Sequence, residues 1–151
     1  MRFINKIFFC LAVYTLSAQN SNIIDFKMPS FSFTPKVFHH PNKVLFNSKS
    51  FELQVFADFP QNELKTISLF YKTDNNPRFI EIPFDPQLYR YVFKYNPKEN
   101  PANQISYFFT VLLKNGAIYA TPVDSTGALL PITQTFVDPV EYYKQRAAYR
   151  N

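Results

Sequence analysis

The sequence predicts an all-β protein, an antiparallel sandwich of about seven strands followed by a short C-terminal α-helix. Three observations lead to this prediction. From residue 44 onward, apolar side chains recur at every second position, which is the period of a strand. Residues that favour turns separate these segments. No segment between them has the helical period that the crossovers of a parallel sheet would require.

The N-terminus predicts an export signal over residues 1–18. Arg2 and Lys6 carry positive charge, residues 7–16 form an uncharged and largely apolar run, and Ser17 and Ala18 supply the small side chains of a cleavage site. The run is ten residues long, whereas a membrane-spanning helix needs about twenty. We therefore expect cleavage after Ala18, with Ser17 as the alternative, and a periplasmic or extracellular protein without an integral membrane segment. A buried first strand or helix is the other interpretation.

Cleavage would leave a mildly basic chain without thiols. Once Arg2 and Lys6 are removed, 14 Lys and Arg side chains stand against 11 Asp and Glu, so the net charge is +3. No basic cluster exceeds two residues, which argues against a nucleic-acid partner. Cys10 is the only cysteine and leaves with the signal, so neither a disulfide nor a cysteine metal site is expected.

Residues 19–42 are predicted to be an extended leader or an edge strand, because they contain several prolines, which sheets tolerate at edges. His39 and His40 lie near the end of this segment. In an extended chain their side chains point to opposite faces, and a zinc site needs three or four ligands. We therefore expect no metal site, and a solvated loop before Pro41.

The sandwich domain is predicted over residues 43–136. The tightest local signal is Asn115-Gly116, since both residues tolerate positive φ and the pair favours a type I′ turn. This turn predicts an antiparallel hairpin of the two strands beside it. The predicted strands cover residues 51–57, 67–72, 78–84, 89–95, 105–113 and 117–121.

Residues 137–151 are predicted to form a helix. Asp138 fits the N-cap, Pro139 the first helical position, and Glu141 completes a capping box. The helix carries residue types that are enriched at protein interfaces, and they are the candidate partner contacts. The alternative is that its tyrosines pack on the sandwich of the same chain. The candidates are Tyr142, Tyr143, Arg146, Tyr149 and Arg150.

No pattern in the sequence predicts catalysis or a cofactor. The two glycines, Gly116 and Gly127, cannot build a Gly-x-Ser-x-Gly nucleophile turn or a phosphate-binding loop. Four aspartates lie beside turn residues, where a carboxylate commonly bonds its own backbone, so turn formation is favoured over glycosidase or calcium chemistry. The four aspartates are Asp58, Asp74, Asp85 and Asp124. A small hydrolase is kept only as a third hypothesis.

Aromatic side chains along residues 89–95 support two interpretations. They could pack in the core, since Arg90 and Lys94 occupy the opposite face. They could instead form a sugar-stacking platform, which would make the protein a carbohydrate-binding module. The four side chains are Tyr89, Tyr91, Phe93 and Tyr95.

Residues 67–122, a little over a third of the chain, resemble a bacterial immunoglobulin-like or fibronectin type III-like module. The resemblance implies an antiparallel sandwich on an exported protein and implies no catalytic residues. The function that we favour for the chain is an exported, non-catalytic module for protein–protein interaction or cell-envelope assembly, with a carbohydrate-binding module as the alternative. The motifs that carry the resemblance are Leu69-Phe70-Tyr71-Lys72, Phe79-Ile80-Glu81-Ile82-Pro83, Ile105-Ser106-Tyr107-Phe108-Phe109-Thr110-Val111 and Asn115-Gly116-Ala117-Ile118-Tyr119.

Overall fold

The computed structural model describes residues 36–88 and 90–149. The predicted export signal, most of the predicted leader, Tyr89 and Arg150 lie outside the described residues. Nine strands and one helix occur within them, in the order β1 (Val37–His39), β2 (Leu45–Phe46), β3 (Phe51–Ala57), β4 (Leu64–Thr73), β5 (Ile80–Phe84), β6 (Tyr91–Tyr95), β7 (Gln104–Leu113), β8 (Ile118–Thr121), β9 (Ile132–Val137) and α1 (Pro139–Ala148).

The strands form two sheets, which confirms the predicted mostly-β class. The smaller sheet has the order β1-β3-β6, and the larger has the order β2-β9-β7-β4-β5 with β8 also paired to β7. Strands β8 and β9 share one edge of β7, because β8 pairs with its second half and β9 with its first half. Every pairing is antiparallel except that of β2 with β9, which is parallel.

The core is built on the inward faces of β4 and β7. Ile67 and Leu69 on β4, and Tyr107 and Phe109 on β7, are 0% exposed, and Leu69 is paired in register with Phe109. These residues alternate with side chains on the outer face, as the period of two predicts. The smaller sheet contributes Leu53, Val55, Tyr91 and Tyr95 to the same core.

The hairpin between β7 and β8 exists where it was predicted, but its turn is of another type. Gly116 has φ of 88°, whereas no non-glycine residue in the described part has positive φ, so Asn115 does not adopt the type I′ geometry. The N–H of Gly116 donates to Leu113 O, and the N–H of Leu113 donates to Ala117 O. The loop therefore has three residues, a type I turn followed by a left-handed glycine.

Strands β2 and β9 were not predicted. In β9 the inward positions are Ile132, Gln134 and Phe136, so a polar side chain interrupts the apolar alternation that identifies a strand. Gln134 is stabilised there because its Nε2 donates to Asn42 O at 2.6 Å. Strand β2 has two residues, too few to show a period.

Helix α1 begins as predicted, with Asp138 as the N-cap and Pro139 in the first turn. The N–H groups of Val140 and Glu141 donate to Asp138 Oδ1 at 2.7 and 3.3 Å. The carboxylate thus satisfies two N–H groups that have no partner within the helix.

Replacing Gly116 with Ala should lower the free energy of unfolding by about 1–2 kcal/mol, because an L-residue is strained at this φ. A Cβ at Gly116 would meet nothing within 4 Å, so the cost is one of backbone conformation alone. Urea denaturation of both proteins measures this difference in the free energy of unfolding. Lys114→Ala in the same exposed loop is the control and should change stability by less than about 0.5 kcal/mol. Equal stability of G116A and wild type would contradict the assigned turn.

Candidate functional site

Helix α1 contacts the sandwich through two of its tyrosines, which both pack on Phe46. The ring of Phe46 on β2 lies 5.6 Å from that of Tyr142, edge-on, and 6.0 Å from that of Tyr143, stacked. No residue of the helix is buried. The sequence predicted either a helix packed on its own sandwich or a partner contact. The structure shows Tyr142 and Tyr143 on Phe46 of the same chain, and the partner contact stays a prediction.

The exposed part of the helix is aromatic and basic. Tyr143 is 59% exposed and Tyr149 is 93% exposed. Tyr142, Arg146 and Tyr149 are spaced four and three residues apart, so their side chains follow one another along one side of the helix. We call Phe46, Tyr142, Tyr143, Arg146 and Tyr149 the helix surface. Arg150, the fifth predicted contact residue, lies outside the described residues.

A shallow hollow of about 500 Å³ adjoins the helix surface and shares Phe46 with it. Lys49 and Lys94 line the hollow together with Glu52, and the helix adds Lys144 and Arg146 against Glu141. With Asp138 at the N-cap of the helix, four cationic side chains therefore stand against three carboxylates in this region.

His39 does not lie in a solvated loop, contrary to the prediction. It is half-buried on β1, where its Nδ1 lies 2.6 Å from Gln54 O and its Nε2 lies 2.9 Å from Tyr107 Oη. The alternation of β1 directs this ring inward, as it does the side chain of Val37. His40 follows the strand and is exposed, so the two imidazoles do point to opposite faces.

The outer face of the smaller sheet carries an exposed aromatic pair. Phe38 on β1 and Phe56 on β3 are paired in register, their ring centroids are 6.3 Å apart, and they are 41% and 56% exposed. With His40 and Gln54 they line a hollow of about 370 Å³. This pair was not predicted. Phe38 lies in a proline-containing segment, and Phe56 is an apolar residue on the face of β3 that otherwise carries the polar Glu52 and Gln54.

The loop aspartates bond to their surroundings. Asp74 accepts hydrogen bonds from the side chain and N–H of Asn103 and from the N–H of Gln104. These bonds lower the pKa of Asp74, and the bond from the Asn103 side chain has the largest effect. Asp124 Oδ1 accepts from Thr126 Oγ1 and from two backbone N–H groups, which lowers its pKa likewise. Among the described residues, no three His, Cys, Asp or Glu side chains are grouped as metal ligands.

The aromatic residues of β6 pack inward. Tyr91 and Tyr95 are 4% and 3% exposed, and their hydroxyls donate to Pro86 O and Asn100 O. Burial raises the pKa of both phenols. Phe93 is half-buried against the core, and Tyr89 lies outside the described residues. The described rings of β6 therefore form core rather than a platform for sugars.

The larger sheet has aromatic residues on its outer face, but these stack on one another. The rings of Phe70 and Phe108 are 5.0 Å apart and nearly parallel at 7°, and Phe79 meets Phe108 edge-on. A sugar-stacking platform needs rings that lie side by side in one plane. Parallel rings at this distance instead cover each other's faces.

Comparison of the chain with family models, curated proteins and solved structures finds no match in any of the three. Within residues 36–88 and 90–149, no helix combines the length and the hydropathy required to cross a bilayer.

Replacing Phe46 with Ala should loosen helix α1, because each aromatic contact contributes about 0.5–1.5 kcal/mol. The amide of Tyr142, which donates to Asp138 O, should lose protection from hydrogen exchange. The matched control is Phe79→Ala, which removes a partly exposed ring that packs on Phe108 and leaves Phe46 in place. Equal helix protection in both variants would show that Phe46 does not hold the helix.

Replacing Asp74 with Asn should lower stability near pH 6 and have a shrinking effect in acid. The pKa of Asp74 is lowered in the folded state, so this carboxylate stabilises the fold above its unfolded pKa of about 3.9. That contribution is lost as the pH falls through the lowered folded pKa. Urea midpoints of wild type and D74N should therefore converge between pH 6 and pH 2. A difference that stays constant over this range would contradict the assignment.

Proposed function

We propose that this protein is an exported, non-catalytic β-sandwich module that acts in protein–protein interaction or cell-envelope assembly, with the helix surface as its contact site. The observation that carries the proposal is a well-capped helix with no buried residue, which presents Tyr143 and Tyr149 to solvent. Export is proposed from the charged, apolar and small-residue pattern of residues 1–18.

The energetics of the helix support a contact role. A ten-residue helix is marginal by itself in water, and here the capping by Asp138 and the contact with Phe46 sustain it. Tyr and Arg are the residue types that most often dominate binding energy at interfaces. Burying Tyr149, which is 93% exposed, would add stabilisation that the sandwich itself does not provide.

The strand order supports the immunoglobulin-like or fibronectin type III-like assignment within this proposal. The smaller sheet, β1-β3-β6, corresponds in order to strands A, B and E of such modules. In the larger sheet, the order of β5, β4 and β7 matches C′, C and F, and β8 and β9 share the place of G. Strand β2, which is parallel to β9, lies outside this antiparallel order. Fold alone does not determine function, so the contact role depends on the helix surface.

A non-catalytic role is proposed because three of the four loop carboxylates, those of Asp74, Asp85 and Asp124, are engaged in structure. Asp74 ties its loop to residues 103–104, Asp85 accepts from the N–H of Gln87, and Asp124 closes its own turn. These are the bonds by which aspartates shape turns. The carbohydrate-binding alternative would need exposed coplanar rings. The described rings of β6 and of the larger sheet are buried or mutually stacked, and the exposed pair of Phe38 and Phe56 is tilted by 37° rather than coplanar.

The proposal is tested by capture of envelope proteins from the source cells with the full chain as bait. A protein identified by mass spectrometry should be retained by wild type and reduced at least about tenfold by Tyr143→Ala with Tyr149→Ala, since central aromatic contacts contribute about 2 kcal/mol or more. The control is Phe56→Ala, because Phe56 is 56% exposed and Tyr143 is 59% exposed. When the identified protein is used as bait, it must in turn retain wild type and Phe56→Ala more strongly than the double variant. Undiminished capture by the double variant would overturn the assignment of the helix surface.

A further inference from the structure

The ring of His39 joins three strands in the interior of the sandwich. It lies on β1, its Nδ1 bonds to Gln54 O on the neighbouring strand β3, and its Nε2 bonds to Tyr107 Oη on β7 of the opposite sheet. The ring also contacts Tyr107 edge-on at 5.3 Å and Phe109 at 5.0 Å. One side chain thus connects a three-residue strand to both sheets.

We propose that the His39–Tyr107 pair is a pH-sensitive latch that holds strand β1 on the sandwich at neutral pH and releases it when the imidazole is protonated. The latch does not depend on what the helix surface binds. Release would leave the edge of β3 without its partner, because Val37, Phe38 and His39 are paired with residues 57, 56 and 55. An unpaired strand edge can accept another strand.

The hydrogen bonds define the state of the closed latch. A carbonyl oxygen only accepts, so Nδ1 of His39 carries a proton and donates to Gln54 O. In the neutral ring Nε2 is then an acceptor, and the hydroxyl of Tyr107 donates to it. The neutral imidazole therefore uses both nitrogens and satisfies the buried phenol at the same time.

Protonation disrupts this arrangement. Both nitrogens of the imidazolium are donors, so the proton of Tyr107 must turn to another acceptor. The one in reach is Gln134 Oε1 at 3.5 Å, beyond the usual length of an O–H···O bond. Gln134 is held in place because its Nε2 donates to Asn42 O at 2.6 Å. A charged ring would thus be half-buried beside Tyr107, whose hydroxyl proton would have only this long contact with Gln134.

Among the described residues, no carboxylate is buried near the ring, since the buried polar side chains are those of Ser68 and Ser106. Burial is the main cause that lowers the pKa of His39, and the charge of His40 lowers it further, against the bond to Gln54. Glu52 on β3 is exposed on the outer face. The titratable or charged groups on or beside the elements packed around the ring are Tyr107 on β7, Tyr119 on β8, Glu52 on β3, Lys36 and His40 beside β1, Asp58 beside β3, and Arg90 beside β6, whose guanidinium donates to Gln54 Oε1.

The sign of the pH dependence follows from linkage. A released His39 would titrate near pH 6.5, whereas the closed latch binds its proton only at lower pH. The closed state is therefore fully favoured above about pH 6.5 and loses its advantage as the pH falls toward the lowered value. Each pH unit between the two values changes the ratio of closed to released protein about tenfold.

The experiment is hydrogen exchange by NMR on the full chain, with the side-chain resonances of both histidines titrated in parallel. The reporter is the amide of Asp58, which donates to Lys36 O at 2.7 Å next to β1, and the reference is the amide of Thr73, which donates to Asn76 O between β4 and β5. The protection factor of Asp58 relative to Thr73 should fall at least about tenfold between pH 7.5 and pH 4.5. This loss of protection should accompany the titration of the His39 ring.

Adjacent histidines provide the matched variants. His39→Gln should abolish the pH dependence of the Asp58 protection, and His40→Gln should preserve it. Tyr107→Phe, which retains the ring, should lower the protection at pH 7.5 and weaken the pH dependence, so the inference remains testable if H39Q does not fold. A protection of Asp58 that does not change between pH 7.5 and pH 4.5, or a His39 that is protonated without loss of protection at Asp58, would overturn the latch. So would an unchanged pH dependence in Y107F.

Discussion

The antiparallel pairing of β4 with β7 is the interaction on which the rest of the structure depends. Both strands have ten residues, and β7 is bonded along both of its edges, by β4 on one side and by β8 and β9 on the other. Its inward side chains, from Ile105 to Val111, are 0% exposed. A one-residue slip of this pair would turn those side chains to the outer face, so its register determines the core against which the smaller sheet packs.

Much of the fold could be predicted from sequence because these central strands have a strong period of two. The cap at Asp138 and the position of the β7–β8 hairpin were predicted for similarly local reasons. The tertiary environment decided the rest. Gln134 points inward in β9 because Asn42 O accepts a hydrogen bond from its side chain. His39 points inward because Gln54 O and the Tyr107 hydroxyl bond to its two ring nitrogens. These three partners lie outside the strands on which the two side chains stand.

The candidate site was predictable in its residue types and not in its contacts. Tyr142 and Tyr143 were identified as interface residues, but Phe46, on which both rest, lies almost a hundred residues earlier in a two-residue strand. Both peripheral elements, β1 and α1, are attached to the rigid sandwich by few side chains. Local changes at His39 or Phe46 can therefore affect them while the β4–β7 core stays intact.

The most direct test of this account is the register of the central strands, measured by nuclear Overhauser contacts between backbone protons of β4 and β7. The account predicts cross-strand contacts that place Phe70 opposite Phe108 and Leu69 opposite Phe109. Contacts shifted by one residue, or an absence of contacts between these strands in the folded protein, would contradict it.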